Sequence, residues 1–131
     1  MDFTSFEYHE LVALCKVLDF VRFESRELGA SDLVGIPALG HLQARATETL
    51  WAKVDASSTA FFRTHGFPDI AADPERMAIT KLHITRVGNW DDMAETSKRG
   101  FIQDLVFPFA IAPGTLDELL HFGDHFQRPQ G

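Results

Sequence analysis

The amino-acid sequence predicts an all-α protein, a compact bundle of five or six helices. Three observations predict this fold class. Successive segments carry apolar side chains at the three- and four-residue spacing of one helical face, and four of the candidate helix starts carry residues that cap helices. Apolar residues also make up 45% of the 131 residues, which is enough for a packed core. Because this length suits one domain, we predict a single helical domain over residues 1–131, with a loose tail at 127–131.

The first helix is predicted from the Thr-x-x-Glu pattern of a capping box at residues 4–7. It continues to about Leu28, where Gly29 ends it, because one helical face carries Leu11, Leu14, Cys15, Leu18 and Val21. Phe20 and Phe23 fall outside this stripe, so the helix has apolar surface on more than one side. We therefore expect it to be central in the bundle or to contact another chain.

Proline and glycine mark the bounds of the next two helices. Pro37 suits a first helical position because its φ is fixed, and a helix follows to about Val54. A short helix through Phe61 and Phe62 is predicted to stop at Gly66, since glycine accepts the backbone geometry of a helix terminus.

Asp73 and Pro74 predict the start of a fourth helix, as a cap followed by a proline at the first helical position. Its second half, residues 79–87, is rich in β-branched side chains that also suit a strand. We favour a helix. The alternative is an α+β domain in which residues 82–87 and 106–111 pair as a small two-stranded element.

Two further helices complete the predicted bundle. Asn89 is expected to cap a fifth helix that continues through Leu105. Residues 107–113 then form an apolar connector against the core. The last helix starts at a second capping box, residues 115–118, and runs to about Phe126.

Charge and composition exclude several classes of function. The 19 acidic and 12 basic residues give a net charge of −7 without a basic stripe, so we predict no binding to nucleic acid. No apolar segment approaches the ~18 residues of a membrane span, and the first residues lack the pattern of a secretory signal. We expect a cytoplasmic protein without a membrane partner, which agrees with the lone Cys15.

A histidine cluster gives one candidate site. Glu118, His121 and His125 share a helix face, and His41 on an earlier helix is the best candidate for a further ligand. Helical bundles hold zinc or iron with such imidazole and carboxylate groups. These four residues therefore predict, as an alternative function, a small metal-binding bundle or metal-dependent enzyme with zinc or another divalent transition metal.

The favoured function is that of a non-enzymatic, soluble protein-interaction domain, such as an accessory, inhibitor or immunity-type protein. The sequence holds no Gly-x-Ser-x-Gly motif, phosphate loop, dinucleotide fingerprint or paired-cysteine zinc motif, so no catalytic residue and no cofactor are predicted. The partner is another protein or a second copy of this chain in a homo-oligomer. We predict that four large apolar residues contact the partner, because one lies beside acidic residues at a helix start and the others lie in the apolar connector: Trp90, Phe107, Phe109 and Ile111.

Overall fold

The computed structural model describes residue 3 and residues 5–34, 36–54 and 67–128. In this part of the chain the secondary structure is helical, which confirms the all-α bundle. The helices are α1 (Tyr8–Asp19), α2 (Leu28–Val34), α3 (Pro37–Val54), α4 (Pro74–Thr85), α5 (Glu95–Val106) and α6 (Pro113–His125). A π-helical turn (Phe20–Glu24) continues α1, and two 3-10 turns (Ile70–Ala72 and Trp90–Asp92) precede α4 and α5. Among the described helices, none is long and apolar enough to cross a membrane.

The two-stranded alternative is not formed, because residues 82–85 complete α4 and residues 107–109 are turns. The β-branched residues Ile79 and Ile84 are instead buried on the inner face of that helix. The extended backbone of the described residues pairs in an isolated parallel bridge between Asp69 and Ala110.

The predicted bounds of the first helix are wrong at both ends. Thr4 lies outside the described residues, and α1 begins at Tyr8, where the capping box is formed by Glu7 and Glu10. The N–H of Glu7 donates to Oε1 of Glu10 at 2.8 Å. The helix also stops before Leu28, since residues 25–27 leave helical geometry and α2 then begins.

The π-helical turn decides which side chains at the end of α1 face the core. A π-helix has more residues per turn than an α-helix, so the faces of its side chains shift. Phe23 and Arg22 are buried, at 2% and 1% exposure, whereas Phe20 is 56% exposed. Of the two phenylalanines for which apolar surface on more than one side is predicted, Phe23 is therefore buried and Phe20 is exposed.

The starts predicted from proline at α3 and α4 are confirmed. α3 has the predicted bounds, Pro37–Val54. At α4, the carboxylate of Asp73 accepts hydrogen bonds from the N–H groups of Glu75 (3.0 Å) and Arg76 (3.2 Å). The short helix predicted through residues 61–66 lies outside the described residues.

The last two helices differ from the prediction at their starts. α5 begins at Glu95, because residues 90–92 form a 3-10 turn and Met93 and Ala94 are extended. α6 begins at Pro113, two residues before the predicted cap Thr115. The fixed φ of a proline at the first helical position thus outweighs the local capping box.

The core consists of two apolar clusters. The smaller lies between α1 and α3 and contains Phe3, Leu11 and Ala46, flanked by Phe6, Leu14, Cys15, Leu42 and Leu50. The larger is built from the π-helical turn, α2, α4, α5, α6 and the turns between them, and contains Phe23, Val34, Ile70, Met77, Ile84, Trp90, Ile102, Leu105, Val106, Phe109, Leu116, Leu119 and Leu120.

Arg128, within the predicted tail, contacts the rest of the bundle. Its guanidinium donates to three backbone carbonyl oxygens, those of Ile84 (2.7 Å), Gly123 (2.8 Å) and Val87 (2.9 Å). It also lies over the Trp90 ring, with 5.3 Å to the centroid. Because carbonyl groups at helix ends lack partners within the helix, this arginine ties the end of α6 to the end of α4. Residues 129–131 lie outside the described part.

We predict that Gly123→Ala destabilises the protein. An added Cβ would lie 2.7 Å from Cε2 of Trp90 and 3.0 Å from Cγ2 of Ile84. Such overpacking costs about 1–3 kcal/mol.

The matched control is Gly100→Ala in α5, where nothing lies within 4 Å of the added Cβ. That change should stabilise the protein by about 0.5–1 kcal/mol, because alanine favours a helix over glycine. Urea unfolding of both variants measures this, and equal effects would contradict the packing described.

Candidate functional site

A groove of about 920 Å³ lies where the smaller core cluster meets the larger one. We call it the α1–α3 groove. Its apolar lining consists of Val17, Phe20, Trp51, Phe67, Pro68 and Phe109, and its polar lining of Cys15, Lys16, Asp19, Glu24, Gln43, Thr47 and Arg76. It is thus formed by α1, the π-helical turn, α3 and the start of α4, together with two turns.

Arg22 is buried behind this groove and joins three segments. Its Nη1 donates to Oε1 of Gln43 at 2.8 Å, and its Nη2 donates to the carbonyl oxygens of Leu105 (2.8 Å) and Asp104 (3.3 Å). Nε has no hydrogen-bond partner among the described residues. Burial lowers the pKa of Arg22 to about 10, and the nearby Asp19 carboxylate opposes that change. The guanidinium therefore stays charged at neutral pH.

The floor of the groove is polar and consists of Gln43, Asp19 and Arg76, whose hydrogen bonds extend those of Arg22. Nε2 of Gln43 donates to Oδ1 of Asp19 at 3.5 Å, and Nη2 of Arg76 donates to both carboxylate oxygens of Asp19, at 3.1 and 3.2 Å. The Arg76 guanidinium also lies 4.6 Å from the Phe109 ring centroid. Because the charges of the floor are paired with one another, an apolar group can enter the groove without meeting an uncompensated charge.

Two apolar side chains on one wall of the groove are left exposed. Val17 is 59% exposed and Phe20 is 56% exposed. They follow each other by one helical turn, so they present a continuous apolar strip along the groove. At the rim, the charged groups of Lys16 and Glu24 form no ion pair with another described residue. These two groups remain available to a bound molecule.

Cys15 lines the groove as a half-buried thiol. Its Sγ lies 3.7 Å from Oγ1 of Thr47. Burial raises the pKa of Cys15, and the contact with Thr47 only partly opposes this. Since the thiolate is the nucleophilic form, Cys15 acts here as a small apolar group.

The interface residues predicted from sequence occupy different environments. Trp90 is 0% exposed, and its Nε1 donates to Oδ1 of Asp124 at 2.9 Å. Phe109 is also mainly buried, and its exposed edge lines the α1–α3 groove. Ile111 is half-buried against the core. Phe107 is exposed, so it remains a candidate contact residue.

The predicted metal ligands lie in two places. His121, His125 and Glu118 line a smaller pocket of about 410 Å³ beside Lys81. His41 lies on α3, where its ring is 4.6 Å from that of Phe107. Within the described residues, no group of three or more His, Cys, Asp or Glu side chains is arranged to hold a metal ion. The histidine pair on α6 is thus brought together, and the predicted set of four is not assembled.

Sequence reasoning missed the groove, although one signal pointed towards it. Phe20 and Phe23 both fall outside the apolar stripe of α1, which predicts a second apolar surface but does not show that Phe20 is the exposed residue of the two. The remaining lining residues come from α3, α4 and two turns, and no local pattern shows that these segments meet. Arg22 carries no signal of its own, because a single arginine in a helical segment is normally exposed.

Comparison of the chain with protein-family models, with curated proteins and with solved structures finds no match.

A buried histidine predicts how stability depends on pH. His83 is 2% exposed, and its Nδ1 forms a hydrogen bond of 2.7 Å with Oγ of Ser31. The same Oγ accepts from Nη1 of Arg86 at 2.9 Å. Burial, followed by the charge of Arg86, lowers the pKa of His83 from 6.5 to about 4. The unfolded chain therefore takes up the proton first as the pH falls. The free energy of unfolding should drop by about 3 kcal/mol between pH 7 and pH 4 because of this group alone.

Urea unfolding of the wild type and of His83→Leu across this range tests the prediction. The difference in unfolding free energy between the two proteins should change with pH through the window from 6.5 to 4. His9→Gln, at an exposed histidine, is the matched control and should follow the wild type. A constant difference between the wild type and His83→Leu would show that His83 titrates normally in the folded state.

Proposed function

We propose that this protein is a non-enzymatic, cytoplasmic protein-interaction domain that binds an amphipathic helix of a partner protein in the α1–α3 groove. The observation that carries the proposal is the strip formed by Val17 and Phe20, two large apolar side chains that are each more than half exposed on the wall of a mainly apolar groove. Exposed apolar surface that is contiguous and rimmed by polar residues is typical of an interaction site.

The shape of the groove favours a helix over a small molecule. Sites for small ligands are concave and cover most of the ligand surface. The α1–α3 groove is open to solvent, and α1 and α3 supply much of its lining. Such a surface accepts the apolar face of a third helix, whose side chains at i, i+3 or i+4 and i+7 enter the groove.

Charge favours a basic partner. The chain carries a net charge of −7, and a field of this sign attracts positively charged molecules and speeds their association. At the rim, Glu24 is available to a lysine or arginine of the partner, and Lys16 to an acidic residue. These two contacts at different points of the rim would fix the direction of the bound helix.

The proposal is tested with a synthetic peptide that forms an amphipathic helix with a leucine face and lysines on its flanks. A peptide of the same composition with the leucine positions scrambled is the control. We expect the first peptide to bind and to change the fluorescence of Trp51, which lines the groove, whereas Trp90 lies in the core. Amide chemical shifts should change in α1, α3 and the π-helical turn.

Substitutions of the two exposed wall residues test whether the peptide binds in the α1–α3 groove. Phe20→Asp and Val17→Asp should each weaken the helical peptide at least about tenfold, because burial of a large apolar side chain contributes more than the 1.4 kcal/mol that this factor represents. Leu28→Asp is the matched control, since Leu28 is 65% exposed and lies outside the groove. It should change the affinity less than twofold.

Three outcomes would overturn the proposal. Equal binding of the scrambled peptide would show that no helical face is recognised. Binding of small apolar molecules in the groove, without binding of either peptide, would indicate that the protein binds small ligands. A wild-type dimer that dissociates on Phe20→Asp substitution would show that a second copy of this chain covers the groove.

A further inference from the structure

The last turn of α6 holds two imidazole rings side by side. His121 and His125 are one helical turn apart and both exposed, and their ring centroids are 3.9 Å apart with an interplanar angle of 31°. Two nitrogens that bind one metal ion at ~2.0–2.1 Å lie at most about 4 Å apart. Because the ring centroids are this close, rotation of the His121 side chain can bring one nitrogen of each ring to the same ion while the backbone stays in place.

A hydrogen bond prepares one of the rings for metal binding. Nδ1 of His125 lies 2.8 Å from the carbonyl oxygen of His121. A carbonyl oxygen only accepts, so Nδ1 carries the hydrogen and, in the neutral ring, Nε2 carries the free electron pair. Metal-binding histidines commonly hold their other nitrogen in this way, which fixes both the tautomer and the direction of the ring.

We propose that His121 and His125 form a binding site for one divalent transition-metal ion. Neutral imidazole nitrogens suit Cu²⁺, Ni²⁺ and Zn²⁺, whereas Mg²⁺ and Ca²⁺ prefer oxygen ligands. The pair lies in the last turn of the helix, where the negative end of the helix dipole favours a cation. This inference is independent of the α1–α3 groove, since no residue is shared between the two sites.

Among the described residues, His121 and His125 are the two ligands that the pocket offers to the ion. Glu118, one turn before His121, lines the same pocket, but its Oε1 lies 3.5 Å from Nζ of Lys81. The ammonium group of Lys81 occupies that carboxylate and repels a nearby cation. Water therefore completes the coordination of the ion, and we expect binding that is readily reversible.

Calorimetric titration of the untagged wild-type protein with Ni²⁺ and with Cu²⁺, in a buffer that does not bind metals, tests the site. We expect one equivalent of each ion, with Cu²⁺ bound more tightly than Ni²⁺. His121→Ala and His125→Ala should each weaken binding at least tenfold, because the second imidazole acts at a high effective concentration once the first is bound. His41→Ala, at another exposed histidine on a helix, is the matched control and should leave the affinity unchanged.

Two further measurements locate the ion. Lys81→Gln should strengthen Ni²⁺ binding, because it removes a positive charge and releases Glu118. Paramagnetic broadening by Cu²⁺ should affect the ring signals of His121 and His125 before those of His9 and His41. Both substituted histidines are exposed, so circular dichroism should show the wild-type helix content in these variants. Affinity that is unchanged in His121→Ala or His125→Ala, or that falls equally in His41→Ala, would overturn the proposal.

Discussion

The hydrogen bonds of the buried Arg22 side chain are the constraint on which the rest of the bundle depends. A charged guanidinium at 1% exposure is stable only where carbonyl and amide oxygens accept from it. Here the acceptors are the side chain of Gln43 on α3 and the backbone at the end of α5. The π-helical turn, α3 and α5 must therefore meet at one point, and the two apolar clusters are joined by a polar contact rather than by continuous packing.

The position of Arg22 also explains the groove. Because the π-helical turn directs Arg22 and Phe23 inward, Phe20 remains outside and forms the wall with Val17. Gln43, which accepts from Arg22, also donates to Asp19, so the polar floor of the groove is an extension of the same network. A surface proposed for binding is thus held in shape by a buried interaction behind it.

The sequence predicts those elements whose signals are local. The proline at the start of α3, the Asp73 cap of α4 and the one-turn spacing of His121 and His125 depend on neighbouring residues only, and the structure places all three as expected. The π-helical turn was not predictable, because it depends on acceptors 21 and 83 residues away from Arg22. For Trp90 the local pattern fits both the core stripe of a helix and a contact surface, and its hydrogen-bond partner Asp124 is 34 residues further along the chain, where no local pattern shows it.

A double-mutant cycle between Arg22 and Gln43 measures how strongly their hydrogen bond couples the π-helical turn to α3. Each of Arg22→Met and Gln43→Leu leaves a buried partner without its hydrogen bond, so each should lower the free energy of unfolding by about 2–4 kcal/mol. The double variant removes both partners. Its loss in the free energy of unfolding should be smaller than the sum of the two single losses by at least about 1 kcal/mol. Single effects that add to within about 0.5 kcal/mol would show that the hydrogen bond of Arg22 does not join the π-helical turn to α3.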